Sequence, residues 1–225
     1  MKYEYLIFNF IVILGPIVFS FDQKVRYVKK WGYSLRAVFM ALIPFILWDM
    51  AVAGRHWWFN ENLTLNKTLL GLPPGEWLFF ITVPFASLFV WEIIAVFKEN
   101  HKINFIIYLN IFVTFLLPLS IYLFYIGKEY TGLVLFSLFI IFILDVLLKT
   151  RLFYQKRVYL YLAIYLGLVF IFNSYLTARP LVLYNEDTML NIRLFTIPIE
   201  DFGFGLSHIM LSTIFYEKIK RVLIE

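Results

Sequence analysis

Two adjacent carboxylates, Glu200 and Asp201, follow a proline in Ile197-Pro198-Ile199-Glu200-Asp201-Phe202-Gly203-Phe204, at the head of an apolar run. Ionisable groups at the edge of such a run are costly to desolvate and are functional candidates by default. Neighbouring carboxylates in apolar surroundings repel one another, and a proton shared by the pair makes a general acid able to protonate an apolar substrate. The plainer alternative is capping, since proline suits a first helical turn and acidic side chains there complement the helix dipole. Capping, however, needs only one carboxylate. An earlier stretch, Leu72-Pro73-Pro74-Gly75-Glu76-Trp77-Leu78-Phe79-Phe80, answers the first. Shifting the sequence by 125 places lays Pro73 on Pro198, Glu76 on Asp201, Phe79 on Phe204, and Trp91-Glu92 on Tyr216-Glu217. A fixed offset held over that span marks an internal repeat.

Other titratable groups fall around this pair. His208 lies seven residues after Asp201, on the same helical face two turns deeper. It either extends a proton path or hydrogen-bonds to a neighbouring helix, and its counterpart in the repeat is Val83. Trp48-Asp49 falls on Asn173-Ser174, so Asp49 and Asn173 are weaker candidates for the same cavity. Glu92 and Glu217 come sixteen residues after Glu76 and Asp201, on nearly the opposite face, and read as helix-end ion pairs with Lys98 or Arg221. Sharper motifs drop out. Gly203-Phe204-Gly205 lacks the third glycine of a dinucleotide loop. His56, His101 and His208 fall at different depths and make no metal site. No lysine lies between Phe202 and Tyr216 to carry a retinal Schiff base, and Asp49 and Asp145 stand alone where a prenyltransferase would need aspartate-rich motifs. No cysteine is present, which excludes disulfides and thiolate sites.

The elements that position these residues follow from composition. With 62% hydrophobic and 16% charged residues, 225 residues carry more apolar surface than one soluble core can hide. Runs of about twenty apolar residues suit helices that cross a bilayer. Seven can be counted, at about 5–21, 35–53, 77–97, 103–126, 132–148, 158–176 and 197–216; the first lacks a cleavage pattern and reads as a retained helix. Sorting loops alternately places fourteen of the 20 Lys and Arg on one side, which orients the N-terminus outside and the C-terminus in the cytoplasm of a cell (inner) membrane. The basic excess is therefore topology, and nucleic acid is not expected as a partner. The fold expected is an all-α membrane protein of seven transmembrane helices. Residues 1–99 and 131–225 form two parallel three-helix repeats, joined by a connector helix over 100–130. Both outer loops, 54–72 and 177–196, are long, and serve either as a lid or as plain connections.

On these residues the chain resembles the integral-membrane lycopene cyclases, in the fused two-domain form of the heterodimeric type. The mark of that family is Pro-x-Glu-(Glu/Asp), followed by aromatics, in each three-helix unit. Pro198-Ile199-Glu200-Asp201 matches in full; Pro73-Pro74-Gly75-Glu76 has glycine in place of the first carboxylate. The resemblance implies cyclisation of the ψ-ends of lycopene to β-ionone rings in carotenoid biosynthesis, giving γ- or β-carotene. This is an isomerisation, with no cofactor and no metal. A carboxylic acid protonates the terminal double bond, the ring closes on the cation, and a base removes a ring proton. It points to Glu200 and Asp201 as the acid/base pair with Glu76 in support. Phe79, Phe80 and Phe204 are aromatic lining able to face a carbocation, with Asp49, Asn173 and His208 as further lining. The substrate would be a lipid-soluble carotenoid, and a homo-oligomer or association with other carotenoid enzymes stays open. Gly75 leaves open that only one unit is catalytic, with the other shaping the tunnel, or that the substrate is another isoprenoid; the non-enzymatic alternative is a carotenoid-binding membrane protein without activity.

Overall fold

In an apolar chain of this kind the backbone has to satisfy its own polar groups, which favours continuous helices. The computed structural model describes residues 2–65, 67–103 and 106–224. Seven α-helices carry the fold: α1 (Glu4–Phe19), α2 (Trp31–Val52), α3 (Pro74–Phe97), α4 (Ile106–Tyr125), α5 (Glu129–Leu147), α6 (Lys156–Ala178) and α7 (Ile199–Ile224). Four short strands accompany them: β1 (Trp57–Phe59), β2 (Val182–Tyr184), β3 (Arg193–Leu194) and β4 (Ile197–Pro198). Among the described residues four helical stretches, including α3, α5 and α6, are long and apolar enough to cross a membrane; α1 and α4 are apolar but shorter. The expected start of the fourth segment at Ile103 runs into residues 104 and 105, which lie outside the described residues. Helix α2 begins four residues before the apolar run suggested, because Trp31 to Ser34 are helical although Gly32 and Ser34 break the apolar pattern. Helix α7 continues past Tyr216, since Glu217, Lys218, Lys220 and Arg221 remain helical.

The repeat is written into the element boundaries. Helices α1 and α5 start at Glu4 and Glu129, α2 and α6 at Trp31 and Lys156, and α3 and α7 at Pro74 and Ile199. Each pair is 125 residues apart. Before α2 and α6 the chain turns through a left-handed residue, Arg26 (φ 48°) and Arg151 (φ 50°), into a short 3-10 helix. Asp22 anchors the first turn by accepting from the Lys24 and Val25 amides, and Asp145 anchors the second by accepting from the Leu152 and Phe153 amides. Strands β1 and β2 occupy equivalent places in the two units and pair antiparallel with each other, Trp58 opposite Leu183 at the centre. Equivalent segments that pair with themselves in this way are what an internal two-fold axis requires. The two long loops are thus tied together over one end of the bundle.

Helices α3 and α7 form the centre. Phe80, Leu88 and Trp91 from α3 are buried with Ile209, Met210, Ile214 and Tyr216 from α7. Ala37 and Ala41, one helical turn apart on α2 and fully buried, let backbones approach closely. The two units are cross-linked by reciprocal bonds. Trp91 Nε1 donates to Glu217 at 2.8 Å, and Tyr216 donates to Glu92 at 2.7 Å. Glu92 is also held by Lys30 and Lys220, so its cations come from α7 and the turn before α2 and not from Lys98. Arg221 instead donates to the carbonyls of Lys149 and Thr150. By contrast, large apolar side chains such as Phe10, Phe39, Phe112, Phe115 and Ile121 point outward.

The reciprocal lock carries a testable cost. Glu92→Ala leaves the Tyr216 hydroxyl and Lys30 without their carboxylate, and Lys220 with only the longer contact to Glu217, and should lower stability by about 3 kcal/mol. Glu99→Ala, at an exposed side chain, should stay within about 0.5 kcal/mol of the parent. Thermal unfolding of the detergent-solubilised variants measures both.

Candidate active site

A cavity of about 380 Å³ lies between α1, α3, α6 and α7. Its wall follows α1 from Tyr5 to Phe19, a length of about 21 Å at the rise of a helix. Trp57 and Phe59 of β1 and Val182 and Tyr184 of β2 close the end nearest the paired loops. Polar groups gather at that end, and the rest is lined mainly by side chains such as Phe8, Val12, Phe79, Val83 and Phe172. Ile11 and Phe19 line the cavity and are also exposed, so it opens sideways along α1.

Two carboxyls face into it, Glu76 from the first turn of α3 and Asp201 from the first turn of α7. They hold equivalent places in the repeat, and so do their partners. Tyr5 donates to Glu76 Oε2 at 2.5 Å, and Tyr130 donates to Asp201 Oδ1 at 2.8 Å. Beyond these pairs the halves differ. Asp201 Oδ2 also receives Asn173 at 2.9 Å and Tyr184 at 2.6 Å. The equivalents of Asn173 and Tyr184 are Trp48 and Phe59, which bring no such bond to Glu76. Burial, and next the Asp201 charge it faces, push the Tyr184 phenol well above the usual tyrosine range, so it stays protonated as a donor.

The adjacent pair read from the sequence is split. Successive helical residues point about 100° apart, and Glu200 does not line the cavity. Its Oε1 accepts from Thr131 at 2.6 Å and from the Leu190 amide at 2.9 Å, which ties α5 to the loop ahead of β3. Glu76, expected only in support, stands level with Asp201. Phe79, Asn173 and Phe204 line the cavity. Phe80 does not; it is fully buried in the α3–α7 core. Nor does His208, whose ring packs 4.7 Å from Phe45 and 5.2 Å from Phe80 with Nε2 unpartnered among the described residues. Its equivalent, Val83, is on the cavity wall. His208 therefore fills in one half the space that Val83 leaves open in the other. Asp49 is fully buried behind the wall, bonded through Oδ1 to Trp57 Nε1 at 2.7 Å. Tyr5, Tyr130, Tyr184 and Trp57 were not singled out in the sequence, although Tyr5 and Tyr130 carry the repeat offset.

The lycopene cyclase family model matches residues 2–94 and again residues 127–219. The chain belongs to the lycopene cyclase family. The two matches begin and end 125 residues apart, the same offset that relates the helices and the tyrosine–carboxyl pairs. No curated protein and no solved structure matches the chain.

Within this family member the glycine in the first motif has a steric reason. A Cβ at Gly75 would sit 2.5 Å from Tyr5 Cγ, so Tyr5 reaches Glu76 only by lying across a glycine. Asn9 completes the contact by donating to the Gly75 carbonyl at 2.9 Å, and accepts from Thr82 at 2.6 Å. Gly75 thus preserves the first tyrosine–carboxyl pair. Gly75→Ala should cost about 1–3 kcal/mol by overpacking. In a Tyr5→Ala background that cost should fall close to zero, which a double-mutant cycle on thermal stability measures.

Proposed function

We propose that the chain is a membrane-embedded lycopene cyclase. It converts ψ-ends to β-ionone rings by acid/base catalysis without net redox change, with Glu76 and Asp201 as the reacting pair. The observation that carries this reading is the meeting of two carboxyls, one from each repeat, at the closed end of a single long apolar cavity. Cyclisation needs a proton delivered to one carbon of an end group and another removed after ring closure. Two acids on facing walls can serve both ends of that transfer, whereas side-by-side acids on one helix point in different directions. Phe79, Phe204 and Trp57 surround the carboxyls and offer π faces to a cation. The sideways opening along α1 lets a lipid-soluble polyene insert one end while the remainder stays in hydrocarbon.

The outward-pointing apolar side chains and the asymmetry of basic loops support seven spans, with the N-terminus outside and the C-terminus in the cytoplasm. Each matched stretch then supplies one three-helix unit, with α4 as the connector that keeps the two units parallel.

Expression in a lycopene-accumulating bacterium tests the reading. The parent should convert lycopene to monocyclic or bicyclic carotene. Glu76→Gln and Asp201→Asn should each lose about 10²-fold or more of that rate. Glu200→Gln should keep most of it, since its carboxamide oxygen can still accept from Thr131 and Leu190. Loss confined to Glu200→Gln would return the chemistry to the adjacent pair. Unchanged lycopene with the parent well accumulated in the membrane would favour a binding protein or another isoprenoid substrate.

A further inference from the structure

We propose that Asp49 is the positioning residue that keeps a proton on Glu76, so that Glu76 is the acid of the reaction and Asp201 the base. The inference rests on the cyclisation reading above and assigns its two halves. Asp49, near the end of α2, is fully buried. Its Oδ1 accepts from Trp57, while Oδ2 is buried and receives no N–H or hydroxyl among the described residues. That carboxyl and the carboxyl of Glu76 lie close enough to interact electrostatically. Among the described residues no ion pair reaches either of them. Two facing carboxyls in a dry site without a cation do not both ionise; they hold one proton between them.

The repeat sharpens the assignment. The position equivalent to Asp49 is Ser174, and the carboxyl next to Asp201, Glu200, lies off the cavity and takes its own donors from Thr131 and the Leu190 amide. What Asp201 has instead is three donors, Tyr130, Asn173 and Tyr184, spread over both oxygens. That set suits an ionised carboxylate, which only accepts. Glu76 has the single donor Tyr5 and an acidic neighbour. One half of the site is thus arranged to give a proton and the other to take one.

In the reaction the Glu76 O–H proton passes to one carbon of the terminal C=C, whose electron pair forms the new C–H bond. A second C=C attacks the resulting cation and closes the ring. Asp201 then takes a ring proton, and the released C–H pair becomes the ring double bond. No electrons are gained or lost. Exchange with water unloads Asp201 and returns a proton to the Glu76–Asp49 pair.

The test compares membranes holding the parent, Asp49→Asn, Asp49→Glu and Trp57→Phe at matched protein levels, with lycopene as substrate in H2O and D2O. Asn keeps the size of Asp and an acceptor for Trp57, so Asp49→Asn should lower kcat by about 10²-fold with KM changed by less than about two-fold. Its solvent deuterium effect should rise, and Asp49→Glu should recover part of the rate. Trp57→Phe, which keeps an aromatic face on the cavity but frees Asp49 Oδ1 to compete for the shared proton, should lower kcat in the same sense as Asp49→Asn and by less. Parent-like turnover in Asp49→Asn, or the same KM-dominated profile in Asp49→Asn and Trp57→Phe, would overturn the assignment while leaving the cyclase reading in place. A parent that leaves lycopene uncyclised would remove both.

Discussion

A carboxyl buried in an apolar helix bundle must be given donors or a proton, and most of this architecture can be traced to how that demand is met. Asp201 and Glu76 receive tyrosines from the first helix of their own unit, which fixes α1 against α3 and α5 against α7. Glu92 and Glu217 receive an aromatic donor from the opposite unit, which fixes α3 against α7. Each such bond costs little once made and a great deal if left unmade in a dry interior. The carboxyls thus act as registration points. They fix how far the central helices can slide or rotate, a task that non-directional contacts between apolar side chains perform poorly.

Two units with the same plan have packed differently around those points. On the α6 side, Val83 and Ala86 of α3 are small enough to leave a cavity. On the α2 side their equivalents, His208 and Leu211, are buried and fill the corresponding space, with Phe45 and Trp48 stacked alongside. Interiors close-pack wherever side-chain volume allows, so a few larger residues in one unit are enough to leave the open chamber in the other. The chamber keeps a carboxyl from each unit because both lie close to the internal two-fold.

Much of this was legible in the sequence for a physical reason. Hydrophobic length sets helices, and a repeat of constant offset sets equivalences, so the seven helices and the pairing of Glu76 with Asp201 could be read directly. What the linear chain hides is direction around a helix at the start of a segment. Glu200 and Asp201 are neighbours in sequence and diverge in space, so the motif read as one acid pair separates into a cavity group and a loop anchor. Tyr5 and Tyr130 looked like ordinary members of apolar runs, because aromatic residues are abundant here and only their partners reveal the hydroxyl. Gly75 read as a lost carboxylate; its cause is the Tyr5 ring, visible only when α1 and α3 are placed together. The strand pairing of β1 with β2 was illegible for a similar reason, since each strand has only three residues and is defined by the other.

A symmetric pair of acids sharing one proton leaves undetermined which group gives it and which takes one, and unequal surroundings fix that direction. One group has to begin the cycle with a proton and the other without, and identical surroundings would give both the same preference. The substitutions that break equivalence are therefore the ones to weigh most heavily: Asp49 against Ser174, Trp48 against Asn173, and Phe59 against Tyr184. Each changes what surrounds a carboxyl while leaving the carboxyl in place. The first puts an acid beside Glu76; the other two put donors on Asp201 and none on Glu76. All three act in the same sense, toward a protonated Glu76 and an anionic Asp201; Glu200 against Gly75 acts the other way, and the donors that Glu200 takes from Thr131 and Leu190 offset it. The duplicated framework supplies two carboxyls at one chamber, and divergence in their immediate neighbours makes them chemically unequal.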